Sequence, residues 1–287
     1  MPFIFKKILA KGASHPVVAR LQMQAGELLQ NTNFGKDQHD AILQASFDAS
    51  FRLIRCFDIA QRLKAQCAEA EGKHEPGDNP KARHIPHVIG LEQEAETFLY
   101  EAKNFLRDVA VIVNATFGTT FNEASQFTKK KASKSKITKW AESTFGLDDR
   151  FTQFFRVHEG WIGEVVRMRN AVEHPGGWSG TLHIVNYEPM PDGSIRRPVW
   201  HIDNEAPSRL VEDMEGLCEQ MLVFADELIA LIVDRNLHPA FQLYEIPEDK
   251  RDPQVPKSFV VSLSPDLARK LSATAARSEA TKKPPPG

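Results

Sequence analysis

Between Arg167 and His174 the sequence reads RMRNAVEH, and Pro175-Gly176-Gly177 follows at once. Two arginines, an asparagine, a glutamate and a histidine close a stretch that has otherwise been spacing Phe, Ile and Val for a helix. These residue types carry chemistry. A histidine exchanges a proton near neutral pH, and a guanidinium holds an anion through paired, directional hydrogen bonds. Asn170 lies four residues before His174, so on a helix it sits beneath the imidazole and can orient it. The plainer alternative is a charged helix end, whose basic side chains complement the C-terminal pole of the helix dipole.

Spacing alone does not decide between these. The interval from Arg169 to His174 recurs from Arg196 to His201 in RRPVWH, and a chain with ten histidines produces such a match by accident. The first copy differs in closing a long helix and in beginning Arg-Asn. On an ideal helix Ile162, Val165, Val166, Arg169 and Val172 follow one apolar stripe. Arg169 therefore lies where an unpaired guanidinium is costly. His174 stands about 140° around the helix from Arg169, with Arg167 along its own side. Pro175 disfavours helical geometry at His174, so the imidazole projects where the helix frays. Arg169 must meet either a glutamate on a neighbouring helix or the facing motif of a second chain, and the second chain is the expectation.

The elements that would position these residues are mostly helices. Residues 36–70 carry Ile42, Ala45, Phe47, Phe51, Ile54, Phe57 and Leu63 at three- and four-residue intervals. Residues 72–90, rich in Pro and Gly, form a loop. A second helix runs over about 91–117 and a short one, KWAESTFG, stops at Gly146. The motif-bearing helix starts near Asp148 and Asp149, and Pro175 ends it. Residues 181–203 change period around Met190-Pro191-Asp192-Gly193 and read as a β-hairpin. A last long helix covers about 208–236, and FQLYEIP and SFVVSL are possible extra strands within 241–264. The fold class is mainly α, a helical bundle with an inserted β-hairpin or small antiparallel sheet. The division is an N-terminal segment 1–35, a helical domain 36–240, the strands after it, and a disordered tail 265–287.

Bulk properties narrow the function. The 287 residues are 41% hydrophobic and 26% charged, with a formal net charge of −2, as in an ordinary globular chain. No global basic field favours a polyanion, so any such site is local. The run from Thr128 to Lys139 supplies one, with Lys129, Lys130, Lys131, Lys134 and Lys136 as candidate RNA-binding residues; a solvated loop is the plainer account. Three cysteines, Cys56, Cys67 and Cys218, read as free thiols in a reducing compartment. MPFIFKKILAKG is too short and too charged for a signal peptide. No window reaches the ~18 apolar residues that a bilayer demands. The reading is cytoplasmic, with no membrane partner. There is no Gly-rich phosphate loop, no zinc-spaced Cys pair, no His-Glu-x-x-His and no Gly-x-Ser-x-Gly. His183, His201 and Asp203 would share one face of the hairpin, where cross-strand packing outweighs a metal site. No metal and no cofactor are assigned.

RNAVEH at the end of the third long helix resembles the Arg-x4-His signature of the HEPN superfamily, in which a polar residue commonly follows the arginine. The resemblance spans roughly residues 36–236 and is specific at Arg169, Asn170 and His174. It implies a HEPN-like helical bundle and a homodimer whose paired motifs make one cleft. It also implies metal-independent RNA cleavage, often in stress or phage defence, and an antitoxin or other regulator. In such cleavage the ribose 2′-OH attacks the adjacent phosphorus. His174 would then act as general base or acid, Arg169 would clamp the phosphate, and Asn170 would position either. Arg167 and Glu173 would support them. Gly176 stands where the nucleotidyltransferase-partnered toxin branch carries a tyrosine. The rival function is a non-catalytic HEPN module that binds a nucleotide or a protein partner.

Overall fold

The structure, a computed structural model, describes residues 11–72, 85–129, 133–265, 267 and 269. Lys130, Lys131, His84 and nearly all of the tail assigned to 265–287 lie outside the described residues. The chain divides into two compact units, Met1–Leu43 with Asp226–Gly287, and Gln44–Ala225.

In the first unit, α1 (Pro16–Val18) continues through a wider-wound segment, Ala19–Gln24, into α2 (Ala25–Leu29). No helix is legible here from the sequence, because Gln22, Gln24 and Gly26 interrupt a short apolar pattern. Helix α3 (Lys36–Gly72) begins in this unit, and α7 (Leu210–Asn236) ends in it. After α7, β6 (Phe241–Glu245) and β7 (Phe259–Leu263) pair antiparallel over their full length. One buried amide organises this unit. Gln24 donates to Asp226 Oδ1 at 2.6 Å, and its oxygen accepts from the backbone N–H groups of Ser258 and Phe259 at 2.6 and 2.8 Å. Burial pushes the Asp226 carboxyl upward, against the pull of its partners.

The larger unit holds the rest of α3, then α4 (Leu91–Phe117), α5 (Lys136–Phe145), α6 (Arg150–Glu173) and the start of α7. Helices α4 and α6 pack on each other. Phe98, Leu99, Phe105, Val109, Ile112 and Val113 of α4 are buried, as are Phe151, Phe155, Ile162, Val165 and Val166 of α6. Asp149 caps α6, its carboxylate accepting from the N–H of Phe151 at 2.9 Å. Gly146 ends α5 at φ 96°, as its place after the apolar run predicts. Around Phe224, a fully buried ring of α7, the rings of Phe127, Phe154, His158 and Trp161 gather with centroids 5.0–6.0 Å away. Cys56 and Cys218 are buried free thiols whose titration is pushed up by burial, while Cys67 is half-buried.

The hairpin predicted over 181–203 is present as paired strands. β1 (Leu182–Val185) pairs with β4 (Val199–Ile202), and β2 (Glu188–Pro189) pairs with β3 (Ile195–Arg196). β5 (Ser208–Arg209) adds to β4, so α7 starts two residues later than its apolar period indicates. Strand β1 packs against both α4 and α6. The open end of this sheet is tied to the loop that follows α6. Thr181 N–H donates to the Asp203 carboxylate at 2.8 Å, and Thr181 Oγ1 accepts from Gly176 N–H at 2.9 Å. Gly180 sits at φ 81° between them, and a Cβ there would strike the Asp203 carboxylate and Ile202. Gly180→Ala is expected to cost at least about 1–2 kcal/mol for the left-handed backbone alone, and more for the overlap. Thermal unfolding of the variant measures it.

Candidate functional site at the end of helix α6

Arg169 is 8% exposed, set among the apolar residues of α6 where it faces α4. Its Nη2 meets Glu173 Oε1 at 2.8 Å. Its guanidinium carbon lies 5.2 Å from the centre of the Tyr100 ring, a cation–π distance. Nε and Nη1 have no hydrogen-bond partner and are closed off from solvent. Two buried, charged N–H donors without acceptors are uncommon, because each forfeits hydration without replacement. Glu173 in turn accepts from Lys103 Nζ at 3.0 Å through its other oxygen. Burial alone would raise the Glu173 carboxyl; Lys103, with Arg169 and His174, more than offsets this and holds it below the usual value.

Within the chain, then, Arg169 meets a glutamate one turn further along its own helix and a tyrosine on α4. The alternative of a glutamate on a neighbouring helix is therefore replaced by one on α6 itself. Sequence reasoning missed Tyr100 and Lys103. Their only signal is a three-residue spacing that puts both on one face of α4; which face meets Arg169 is fixed by packing.

His174 caps α6 with φ −135° and ψ 67°, its N–H still bonded to Asn170 O at 2.9 Å and its side chain exposed. The helix therefore ends at the imidazole, as Pro175 requires. Asn170 is half-buried and contributes this backbone acceptor. The His174 carbonyl accepts from Gly177 N–H at 2.9 Å, so the loop turns back on the histidine and fixes its backbone.

Arg167 is committed elsewhere. It grips Glu164 at 2.8 and 3.1 Å and Glu205 at 2.7 Å through two nitrogens. Glu205 first, then Glu164, holds the guanidinium firmly ionised. Its donors are spent on bracing α6 against the loop after β4. Arg169, by contrast, keeps Nε and Nη1 without a partner.

The described lysines lie toward the other end of α6. Lys129 reaches Glu159 at 3.3 Å, Lys134 reaches Glu142 at 2.6 Å, and Lys136 is exposed on the first turn of α5. Glu159 is ten residues before Arg169, about 15 Å along the helix. Among the described residues, Lys129 and Lys134 are thus engaged away from the motif. Glu159 itself is 3% exposed and accepts from Ser135 N–H at 2.9 Å. Burial raises its carboxyl, but hydrogen bonds from Thr138, Ser135 and Lys129 together bring it below the ordinary 4.5. An ionised Glu159 therefore stabilises the fold at neutral pH, and that contribution drains away as pH falls through the lowered folded value. Glu159→Gln is expected to lose about 1–2 kcal/mol at about pH 7, a deficit expected to be smaller at about pH 4. Urea unfolding at both pH values checks this.

His183 and His201 face each other across the hairpin, ring centroids 5.0 Å apart and stacked. The Asp203 carboxylate turns instead to Thr181 N–H, while its carbonyl meets His201 Nδ1 at 2.8 Å. Among the described residues, no group of three or more His, Cys, Asp or Glu is placed to hold a metal ion. Two clefts lie nearby. One of about 360 Å³ is lined by Glu164, Met168, Trp200, His201, Glu205 and Asp213, with the Trp200 indole N–H on Asp213 at 2.7 Å. The other, about 330 Å³, runs past Cys67, Glu71, Tyr187 and Arg197. Among the described residues no helix is long and apolar enough to cross a membrane. Comparison with protein-family models, with curated proteins and with solved structures found no match.

Proposed function

We propose that this protein is a metal-independent endoribonuclease of the HEPN type, acting at Arg169, Asn170 and His174. The observation that carries the reading is Arg169: a buried guanidinium with two unpartnered nitrogens, Nε and Nη1, five residues from an exposed histidine. Such a guanidinium suits an oxyanion once the Glu173 carboxylate moves aside, since its desolvation is already complete and no hydrogen bond to protein must break at Nε or Nη1. His174 moves the proton of the attacking 2′-OH or of the departing 5′-oxygen, and Arg169 takes the charge that builds on the phosphate. The five-residue offset puts the two side chains on different sides of α6, which favours a homodimer whose paired motifs complete one cleft. Lys129, Lys134 and Lys136, with Lys130 and Lys131 of the same sequence run, attract the strand away from the reacting bond. An antitoxin or other regulator and a role in stress or phage defence complete the reading, both implied by the resemblance.

The test is RNA incubated with the purified protein in excess EDTA. Cleavage products are expected to end in 2′,3′-cyclic phosphate or 3′-phosphate, and 2′-O-methyl RNA is expected to survive intact. Phosphate-dependent binding without cleavage selects the alternative, a HEPN module that holds a nucleotide. Neither binding nor cleavage overturns both.

A further inference from the structure

We propose that Arg169 and Lys103 form a binding pair for a phosphate oxyanion, and that Glu173 is the internal anion that fills this pair until the phosphate displaces it. The inference rests on reading Arg169 as a phosphate ligand, though not on cleavage.

The geometry is that of an occupied anion site. Each Glu173 oxygen is taken by a different cation, Arg169 Nη2 at 2.8 Å and Lys103 Nζ at 3.0 Å. Phosphate oxygens are spaced much as carboxylate oxygens are, so a phosphate can bridge the same two donors. It can also do what Glu173 does not. A carboxylate tethered four residues along the same helix reaches only Nη2, leaving Nε and Nη1 bare. With Glu173 swung out of the way, a free oxyanion is under no such tether and takes a second donor of the guanidinium, the paired geometry in which arginine binds phosphate best.

The three side chains are also unequally held. The Arg169 and Lys103 side chains are 10% and 19% exposed, whereas that of Glu173 is 34% exposed. Glu173 is the last residue of α6, so its carboxylate can swing out to water without disturbing a packed turn. The Tyr100 ring under the guanidinium keeps Arg169 in place when it does. Charge favours the exchange. Glu173 leaves one net positive charge on the trio, and its departure leaves two facing the incoming anion.

Isothermal titration with two probes tests this, inorganic phosphate and a non-cleavable 2′-O-methyl RNA oligonucleotide, over a series of salt concentrations. Glu173→Gln, which keeps the shape and removes the charge, is expected to tighten binding about tenfold. Glu173→Asp, too short to span both cations, should fall between it and the wild type. Lys103→Met is expected to weaken binding about tenfold and to lower the salt slope for the oligonucleotide by about one. Binding by Glu173→Gln that is no tighter than wild type, with both proteins equally folded by thermal melt, makes Glu173 a support for Arg169 and overturns the proposal. So does unchanged binding by Lys103→Met. A gain with inorganic phosphate alone keeps the pair and assigns it to a free or terminal phosphate. The outcomes separate from the ribonuclease reading. The affinity pattern without cleavage keeps this inference and removes the enzyme, and cleavage without the pattern does the reverse.

Discussion

Arg169→Ala is expected to slow RNA cleavage by at least about 100-fold, because preorganised donors aimed at developing charge contribute on that scale when removed singly. The alanine removes both unpartnered nitrogens and the cation over Tyr100, and leaves Glu173 to Lys103 alone. Arg169→Lys should lose most of the activity as well, since an ammonium cannot present the same fork of donors. His174→Ala should cost roughly 10²–10⁴-fold, the usual range for a general acid or base, with RNA binding preserved because the imidazole is exposed. Arg167→Ala is the internal control. Its donors are held by Glu164 and Glu205, so it should weaken the brace between α6 and the loop after β4 and leave most cleavage intact. Single-turnover rates on one RNA, with thermal melts of each variant, separate these outcomes. Folded Arg169→Ala and His174→Ala proteins that cleave at the wild-type rate would remove the assignment.

Phe224→Ala is expected to destabilise the Gln44–Ala225 unit by about 3–5 kcal/mol. The ring is fully buried and lies parallel to Phe154, centroids 5.1 Å apart. Deleting it exposes the inner edges of Phe127, His158 and Trp161 to a void that none of them can fill without moving α6. Phe224→Leu keeps most of the volume and should recover more than half of the loss. Urea unfolding followed by circular dichroism gives both values. A loss under about 1 kcal/mol for the alanine would mean that the cluster collapses freely and does not hold α6 to α7.

The helices were legible because their apolar residues recur at helical intervals and their ends carry local signals. Asp149 and Gly146 mark boundaries by chemistry that acts within three or four residues. The hairpin showed itself through a turn tetrad between alternating strands. The helical run from Pro16 to Leu29 did not, since polar residues interrupt it and its buried Gln24 is satisfied by Asp226, Ser258 and Phe259, more than 200 residues away. The site divided along the same line. Arg169, Asn170, Glu173 and His174 lie within six consecutive residues and were visible together. Lys103 precedes Glu173 by 70 residues and joins it only because α4 and α6 pack side by side. The choice between Arg167 and Arg169 also needed distant residues: Glu205, 38 positions on, takes Arg167 out of contention as a free cation.

Cys56 and Cys218 give the larger unit a clock. Both thiols are sealed in its interior and resist ionisation there, so a water-borne alkylating reagent can reach them only when the helices part. Cys67, half-buried beside a cleft, marks the native state in the same experiment. The lag between the labelling of Cys67 and that of the other two therefore times the opening of the helical core. Adding a phosphate-bearing ligand should lengthen that lag in proportion to its affinity for the folded form.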